Sequence, residues 1–196
     1  RGGGFGREGG AGVGAEGMAG SLAGRQTGEF FLVDANGGRI PETARRMLRA
    51  LPEGLDFVLE APCATWRETI SLRQRCNVPI ILDELAQEDG DIATLVALDV
   101  ADGIGLKISK AGGLTHARRH RDICLAAGLT ISVQDTVGSV LSAASIFHMG
   151  ATVPERMLRC VLDPRDMVTV ETGSFNAPIE NGGVLPPNKP GLGVTM

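Results

Sequence analysis

With 196 residues, 43% of them apolar, the chain can bury one globular core with little to spare. Its formal net charge of −4 and its scattered basic residues argue against a nucleic-acid partner. No apolar run reaches the roughly 18 residues of a transmembrane helix and no charged-then-apolar leader opens the sequence, so no membrane partner and a cytoplasmic location are expected.

Residues 1–28 are Gly, Ala, Arg and Glu with almost no periodic apolar pattern, which predicts a disordered or non-native segment. Its G-x-G matches follow no strand, so they do not predict a phosphate loop. From Glu29 the pattern becomes orderly, and residues 29–196 read as one domain. Residues 30–33 predict a fully buried parallel strand that stops at Asp34. A turn through Gly37 and Gly38 follows, and Pro41 with Glu42 opens a helix to Arg49. Residues 57–59 predict the next strand, stopping at Glu60. Thr65 then caps a helix to Arg75, with Glu68 completing a capping box. Residues 78–82 predict a strand that ends at Asp83, and residues 91–98 a short helix. The strand at residues 104–108 carries Lys107, and Gly112-Gly113 frees the backbone before a helix over residues 115–127 that Gly128 stops. Residues 129–133 predict a strand reaching Gln134-Asp135, followed by a helix of small residues over 139–149. Beyond Pro154 the pattern weakens to one short strand at 167–170 and Pro- and Gly-rich loops.

Successive apolar runs lie about 25 residues apart, the length of one βα unit, and each ends on a polar residue. In parallel α/β architectures that edge is where ligands bind. The expected fold is therefore α/β, a partial (β/α) barrel of the TIM type. Five units are too few to close a barrel of roughly 250 residues, so the chain reads as a piece of a larger protein, in keeping with Arg1 at its start. Asp34, Glu60 and Asp83 on one strand-end layer would repel one another unless a cation neutralised them. Oxygen-only ligands suit a hard divalent ion, Mg²⁺ first and Mn²⁺ second. The plainer alternative is that each acid caps a helix or solvates a loop. Lys107 is either a residue whose head reaches solvent at the strand end or a base with a lowered pKa. Beside a metal it is the natural acceptor of a proton α to a carboxylate. Lys110 falls in the loop beyond it. Asp135 could accept hydrogen bonds from a substrate or cap the following helix. His116, His120 and His148 lie on helices away from the strand ends, and Arg118, Arg119, His120 and Arg121 read as a solvated helix face. Cys63, Cys76, Cys124 and Cys160 lack zinc spacing and are expected to be reduced thiols in or beside the core.

The segments Val33-Asp34-Ala35-Asn36-Gly37, Leu59-Glu60-Ala61-Pro62-Cys63, Leu82-Asp83-Glu84 and Leu106-Lys107-Ile108-Ser109-Lys110-Ala111-Gly112-Gly113 resemble, in order and spacing, the barrel domain of the enolase superfamily. The muconate-lactonizing subgroup is the nearest branch. Glu60-Ala61-Pro62-Cys63, Gly112-Gly113-Leu114-Thr115, Arg121-Asp122 and Gln134-Asp135-Thr136 look most like the cis-3-hydroxy-L-proline dehydratases. The resemblance covers residues 31–194. It implies that Asp34, Glu60 and Asp83 bind Mg²⁺ and that Lys107 is the acid/base on one substrate face. It also implies a small carboxylate substrate, hydroxyproline or a related imino or amino acid, contacted by Asp135 and Lys110. The implied reaction is a lyase elimination, in a homo-oligomer of the full-length parent. Two departures bear on this. The family's Lys-x-Lys strand end has no counterpart, since no lysine precedes Lys107, and neither the N-terminal capping domain nor the first barrel strands have an equivalent. The stretch before Glu29 suits a misread frame or a truncated product, and little or no turnover is expected of this chain by itself. A racemase or epimerase of the same superfamily is the first alternative, and a non-catalytic metal-binding fragment the second. An exposed sheet edge would also favour association with another copy.

Overall fold

The computed structural model describes residues 19–20, 31–136, 138–180 and 183–196. The disorder expected of residues 1–28 therefore falls, apart from Ala19 and Gly20, outside the described residues. The chain divides into two compact units, Arg1–Ala86 with Ala97–Asp102, and Gln87–Val96 with Gly103–Met196.

In the first unit, β1 (Leu32–Asp34), α1 (Pro41–Ala50), β2 (Val58–Glu60), α2 (Trp66–Arg73) and β3 (Ile80–Leu82) alternate. β1 pairs with β2 and β2 with β3, both in parallel. Parallel neighbours need a crossover, and α1 and α2 supply it. Pro41 opens α1 where its missing N–H costs nothing, and Glu42 complements the helix dipole. α2 starts with the expected capping box. Thr65 Oγ1 accepts the Glu68 N–H at 3.2 Å, and Glu68 Oε2 accepts the Thr65 N–H at 3.2 Å. β2 and β3 are buried along their whole length, as strands covered on both faces must be. β1 is half-buried instead of fully buried, because among the described residues it is an edge strand paired with β2 alone. Arg73 closes the far end of the unit. Its guanidinium grips both oxygens of Asp102 at 3.0 Å, and Asp102 Oδ2 accepts the Ile80 N–H at 2.8 Å, tying the end of α2 to the start of β3.

The second unit begins at Gln87, just before α3 (Asp89–Leu98), a helix that starts two residues earlier than the sequence pattern suggests. Asp91 Oδ2 accepts the Gln87 and Glu88 N–H groups at 3.1 and 3.0 Å, so this acid ties down the chain that enters the helix. β4 (Gly103–Lys107), α4 (Leu114–Ala127), β5 (Thr130–Gln134), α5 (Val140–Gly150) and β6 (Leu158–Val161) follow. β4, β5 and β6 pair in parallel, in that order. Only glycine fits at 103, since a Cβ there would stand 2.2 Å from the Thr130 carbonyl oxygen. Gly128, at φ 77°, ends α4 in the left-handed region, and Ser139 Oγ caps α5 by accepting the Leu141 N–H at 3.3 Å. α4 packs on β4 and β5, and α5 on β5 and β6, through the buried side chains of Ala117, Cys124, Ile146 and Phe147.

Three expectations need correction. β6 was not foreseen, because Arg159 interrupts its apolar run; the Arg159 Nε–H finds Thr130 Oγ1 on β5 at 2.7 Å. The strand expected at 167–170 is absent. Pro164 leads instead into a 3₁₀ turn, Arg165–Met167, and the later pairing is a short antiparallel hairpin of β7 (Ile179–Glu180) and β8 (Gly183–Val184). The basic cluster on α4 is solvated only in part. Arg118 and Arg119 are exposed, but His120 is 2% exposed, its Nε2 lying 2.9 Å from Asp89 Oδ1, and Arg119 pairs with the other oxygen of Asp89. All four cysteines are thiols outside any disulfide, with Cys63, Cys76 and Cys124 buried and Cys160 half-buried. Among the described residues, no helix is long and apolar enough to cross a membrane.

Candidate active site

In the first unit the carboxylates sit where the strands end. Asp34 and Glu60 are the last residues of β1 and β2 and stand side by side in the register. Glu60 in turn stands beside Ile81, and Asp83 lies two residues beyond Ile81. Neighbours in a parallel register share a face, so Asp34 and Glu60 lie on one face of the sheet, and Asp83 follows directly on the end of β3. Glu60 and Asp83 are each only 1% exposed, while Asp34 is half-buried and its Oδ1 accepts the Asn36 N–H at 2.8 Å. The loops around them are laced together. The Ala35 N–H reaches the Glu60 carbonyl at 3.0 Å, the Gly37 N–H the Ala61 carbonyl at 2.7 Å and the Arg39 N–H the Pro62 carbonyl at 3.2 Å. Asn36, at φ 47°, and Ala61, at φ 40°, hold left-handed backbone just beyond Asp34 and Glu60. Asparagine tolerates that region, whereas for alanine it is strained, and backbone strain gathers at functional sites. Cys63 closes this loop; burial, then the charge of Glu68, pushes its thiol up to about 11, which disfavours the reactive thiolate.

Oxygen-only donors at neighbouring strand ends suit a hard divalent ion such as Mg²⁺. Their side chains are not, however, drawn into a finished cage. Among the described residues no group of three or more His, Cys, Asp or Glu is placed to hold a metal ion, and the Asp34 carboxylate serves its own loop, as the plainer reading had it. The three acids thus stand at the ends of three neighbouring strands.

In the second unit Lys107 is the last residue of β4, half-buried, and stands beside Gln134 in the register, with Gly105 beside Ser132 one layer below. The Ser132 hydroxyl is fully buried and has no hydrogen-bond partner among the described residues. The Lys107 carbonyl accepts the Ala111 N–H at 2.9 Å, and the Ile108 carbonyl the Gly113 N–H at 2.9 Å. The turn they close contains Ser109 and the half-buried Lys110. Asp135, just past β5, is 9% exposed. Its Oδ1 accepts the Thr136 N–H at 2.8 Å, the Ser109 N–H at 3.3 Å and the Ser109 hydroxyl, and its Oδ2 accepts the Ser142 hydroxyl at 2.8 Å. Sequence reasoning passed over Ser109 and Ser142. They lie 26 and 7 residues from Asp135, and no local pattern announces such contacts.

Comparison with known proteins agrees with this architecture. Residues 21–196 match the family model described as enolase C-terminal domain-like. A crystal structure from Aspergillus oryzae, assigned to the mandelate racemase/muconate lactonizing enzymes, is 54% identical and superposes with a TM-score of 0.95, covering 99% of this chain and 54% of that one. A structure of the same group from Roseovarius nubinhibens, complexed with magnesium, is 49% identical with a TM-score of 0.94 over 98% of this chain and 54% of that one. Among curated relatives, the cis-3-hydroxy-L-proline dehydratase of Roseibium aggregatum is 34% identical over 85% of this chain and 45% of its own length. The hydrophobic dipeptide epimerase of Roseobacter litoralis is 35% identical over 87% of this chain and 48% of its own length. The chain thus spans about half the length of these relatives. Its α/β units are part of a TIM-type barrel domain, and the chain belongs to the mandelate racemase/muconate lactonizing enzyme subgroup of the enolase superfamily.

Proposed function

We propose that this chain carries the metal site and one acid/base of a magnesium-dependent carbon–oxygen lyase. Its substrate is a small cyclic amino acid of the cis-3-hydroxy-L-proline kind. The observation that carries the reading is the arrival of Asp34, Glu60 and Asp83 at three successive strand ends, two of them withdrawn from solvent. The magnesium complex of a 49% identical structure supports the choice of ion, and the 34% identical dehydratase supports the choice of reaction.

Asp34, Glu60 and Asp83 are the ligands in this reading. Bound there, the ion supplies positive charge that offsets the negative charge developing on the substrate carboxylate. Lys107, as the neutral amine, takes the α-proton. The electron pair of the broken C–H bond becomes a Cα–Cβ double bond as the β C–O bond breaks, and the hydroxyl leaves as water by taking a proton from a general acid, for which the Lys107 ammonium just formed or solvent water can serve. Tautomerisation of the resulting enamine gives a pyrroline carboxylate. Lys110 borders the substrate from the same loop.

Incubating the chain with Mg²⁺ and cis-3-hydroxy-L-proline in ²H₂O separates the outcomes. The lyase reading predicts a pyrroline carboxylate, and Lys107→Met should slow its formation by about 100-fold or more. Equal measurable rates with and without Lys107 would contradict it. The 35% identical epimerase favours a second reading, in which the proton returns on the opposite face. Inverted, α-deuterated product that keeps its hydroxyl would select it.

A further inference from the structure

Asp135 has the address of a substrate ligand, at the C-terminal end of a parallel strand, yet both of its carboxylate oxygens are already engaged by the protein. Oδ1 takes the Thr136 N–H at 2.8 Å, the Ser109 N–H at 3.3 Å and the Ser109 hydroxyl, while Oδ2 takes the Ser142 hydroxyl of α5 at 2.8 Å. The Ser109 hydroxyl lies a further 3.1 Å from Thr136 Oγ1. One buried anion therefore joins the loop after β4, the loop after β5 and the first turn of α5. A carboxylate that accepts several donors in a site of low exposure is held in one orientation and holds its donors in turn.

The donor that matters is Ser109. It lies two residues after Lys107, inside the turn whose ends are the Lys107 carbonyl and the Ala111 N–H, 2.9 Å apart. On the opposite side Lys107 is fixed by its register with Gln134, the residue before Asp135. Backbone position and direction at Lys107 are thus set from β5 twice, once by the strand ladder and once by the Asp135–Ser109 bond. We propose that Asp135 is a positioning residue for Lys107, acting through Ser109, rather than a contact to substrate. This rests on the reading of Lys107 as the base, but its test does not depend on turnover.

Lys107, Lys110 and Lys189 are the only lysines of the sequence, so acetylation by a small water-soluble reagent can be followed at each by mass spectrometry, with Lys189 as the internal reference. Ser109→Ala and Asp135→Asn should each change the acetylation rate of Lys107 relative to Lys189 by about threefold or more. Ser109→Thr, which restores the hydroxyl, should return it to the parent value. Ser142→Ala cuts only the tie to α5, so it should lower the melting temperature and leave the Lys107 rate in place. A purely structural role would move melting temperatures in all these variants and the Lys107 rate in none. Relative Lys107 rates within twofold of the parent in both Ser109→Ala and Asp135→Asn, with the variants folded, would overturn the proposal. Persistence of α-deuteration in Lys107→Met would sink the base reading alone, so the two failures are distinguishable.

Discussion

At the scale of single residues, burial and a neighbouring charge decide what can react. Burial pushes the Cys124 thiol up to about 12, and burial with the Glu68 charge pushes Cys63 up to about 11; burial also raises Cys76. Since the thiolate is the nucleophile, a disulfide reagent at pH 8 should label Cys160 at least tenfold faster than the other three, as read by peptide mapping. Cys63 labelled as fast as Cys160 would show that the Glu60 loop opens readily. Asp163 shows the opposite balance. Burial raises its carboxyl, but the side-chain and backbone hydrogen bonds from Arg165 outweigh that and leave it below the usual carboxylate range. Arg165 also lies 5.2 Å from the Phe147 ring centroid and donates to the Ala177 carbonyl at 3.1 Å. A depressed carboxyl contributes stability that is fully present above its unfolded value of about 3.9 and is lost as pH falls through the folded value. Arg165→Gln should therefore lower the melting temperature at pH 7 and flatten its dependence on pH below about 4, measured by thermal melts across that range. An unchanged slope there would remove Asp163 as the cause. The reduced thiols were legible in the sequence, from their apolar neighbours and missing zinc spacing. The bonding of Asp135 was not, because a carboxylate at a strand end looks the same whether a substrate or a distant serine satisfies it.

At the scale of elements, local chemistry was the readable part. The Thr65 and Glu68 pair forms its box as the spacing predicts, and Thr65→Ala should cost about 1 kcal/mol, roughly 2–4 °C in melting temperature for a chain of this size. No shift by calorimetry would mean that α2 is held by packing alone. Helix starts at Pro41 and Ser139 and the stop at Gly128 were legible for the same reason, since caps and dipoles act within one turn. What escaped was set by distant partners. β6 exists because β5 offers it a ladder and a hydroxyl for Arg159, and neither is visible in the run Leu-Arg-Cys-Val. β1 is half-buried rather than buried because sheet edges are a property of the assembled sheet, which composition cannot express.

At the scale of the whole molecule, the even spacing of strand ends announced a parallel α/β fold, and four motifs in order announced the superfamily. The register then puts Asp34 beside Glu60, with Asp83 just past the end of the next strand. Sequence could name Asp34, Glu60 and Asp83 but could not foresee that Asp34 would spend an oxygen on Asn36, since that choice is made between two close partners. The central claim is that these acids bind one divalent ion, and titrating the chain with Mn²⁺ while reading free Mn²⁺ by electron paramagnetic resonance tests it most directly. The account predicts one ion per chain, displaced by excess Mg²⁺, with affinity at least tenfold weaker in each of Asp34→Asn, Glu60→Gln and Asp83→Asn. Unaltered Mn²⁺ binding in Glu60→Gln or Asp83→Asn would contradict it.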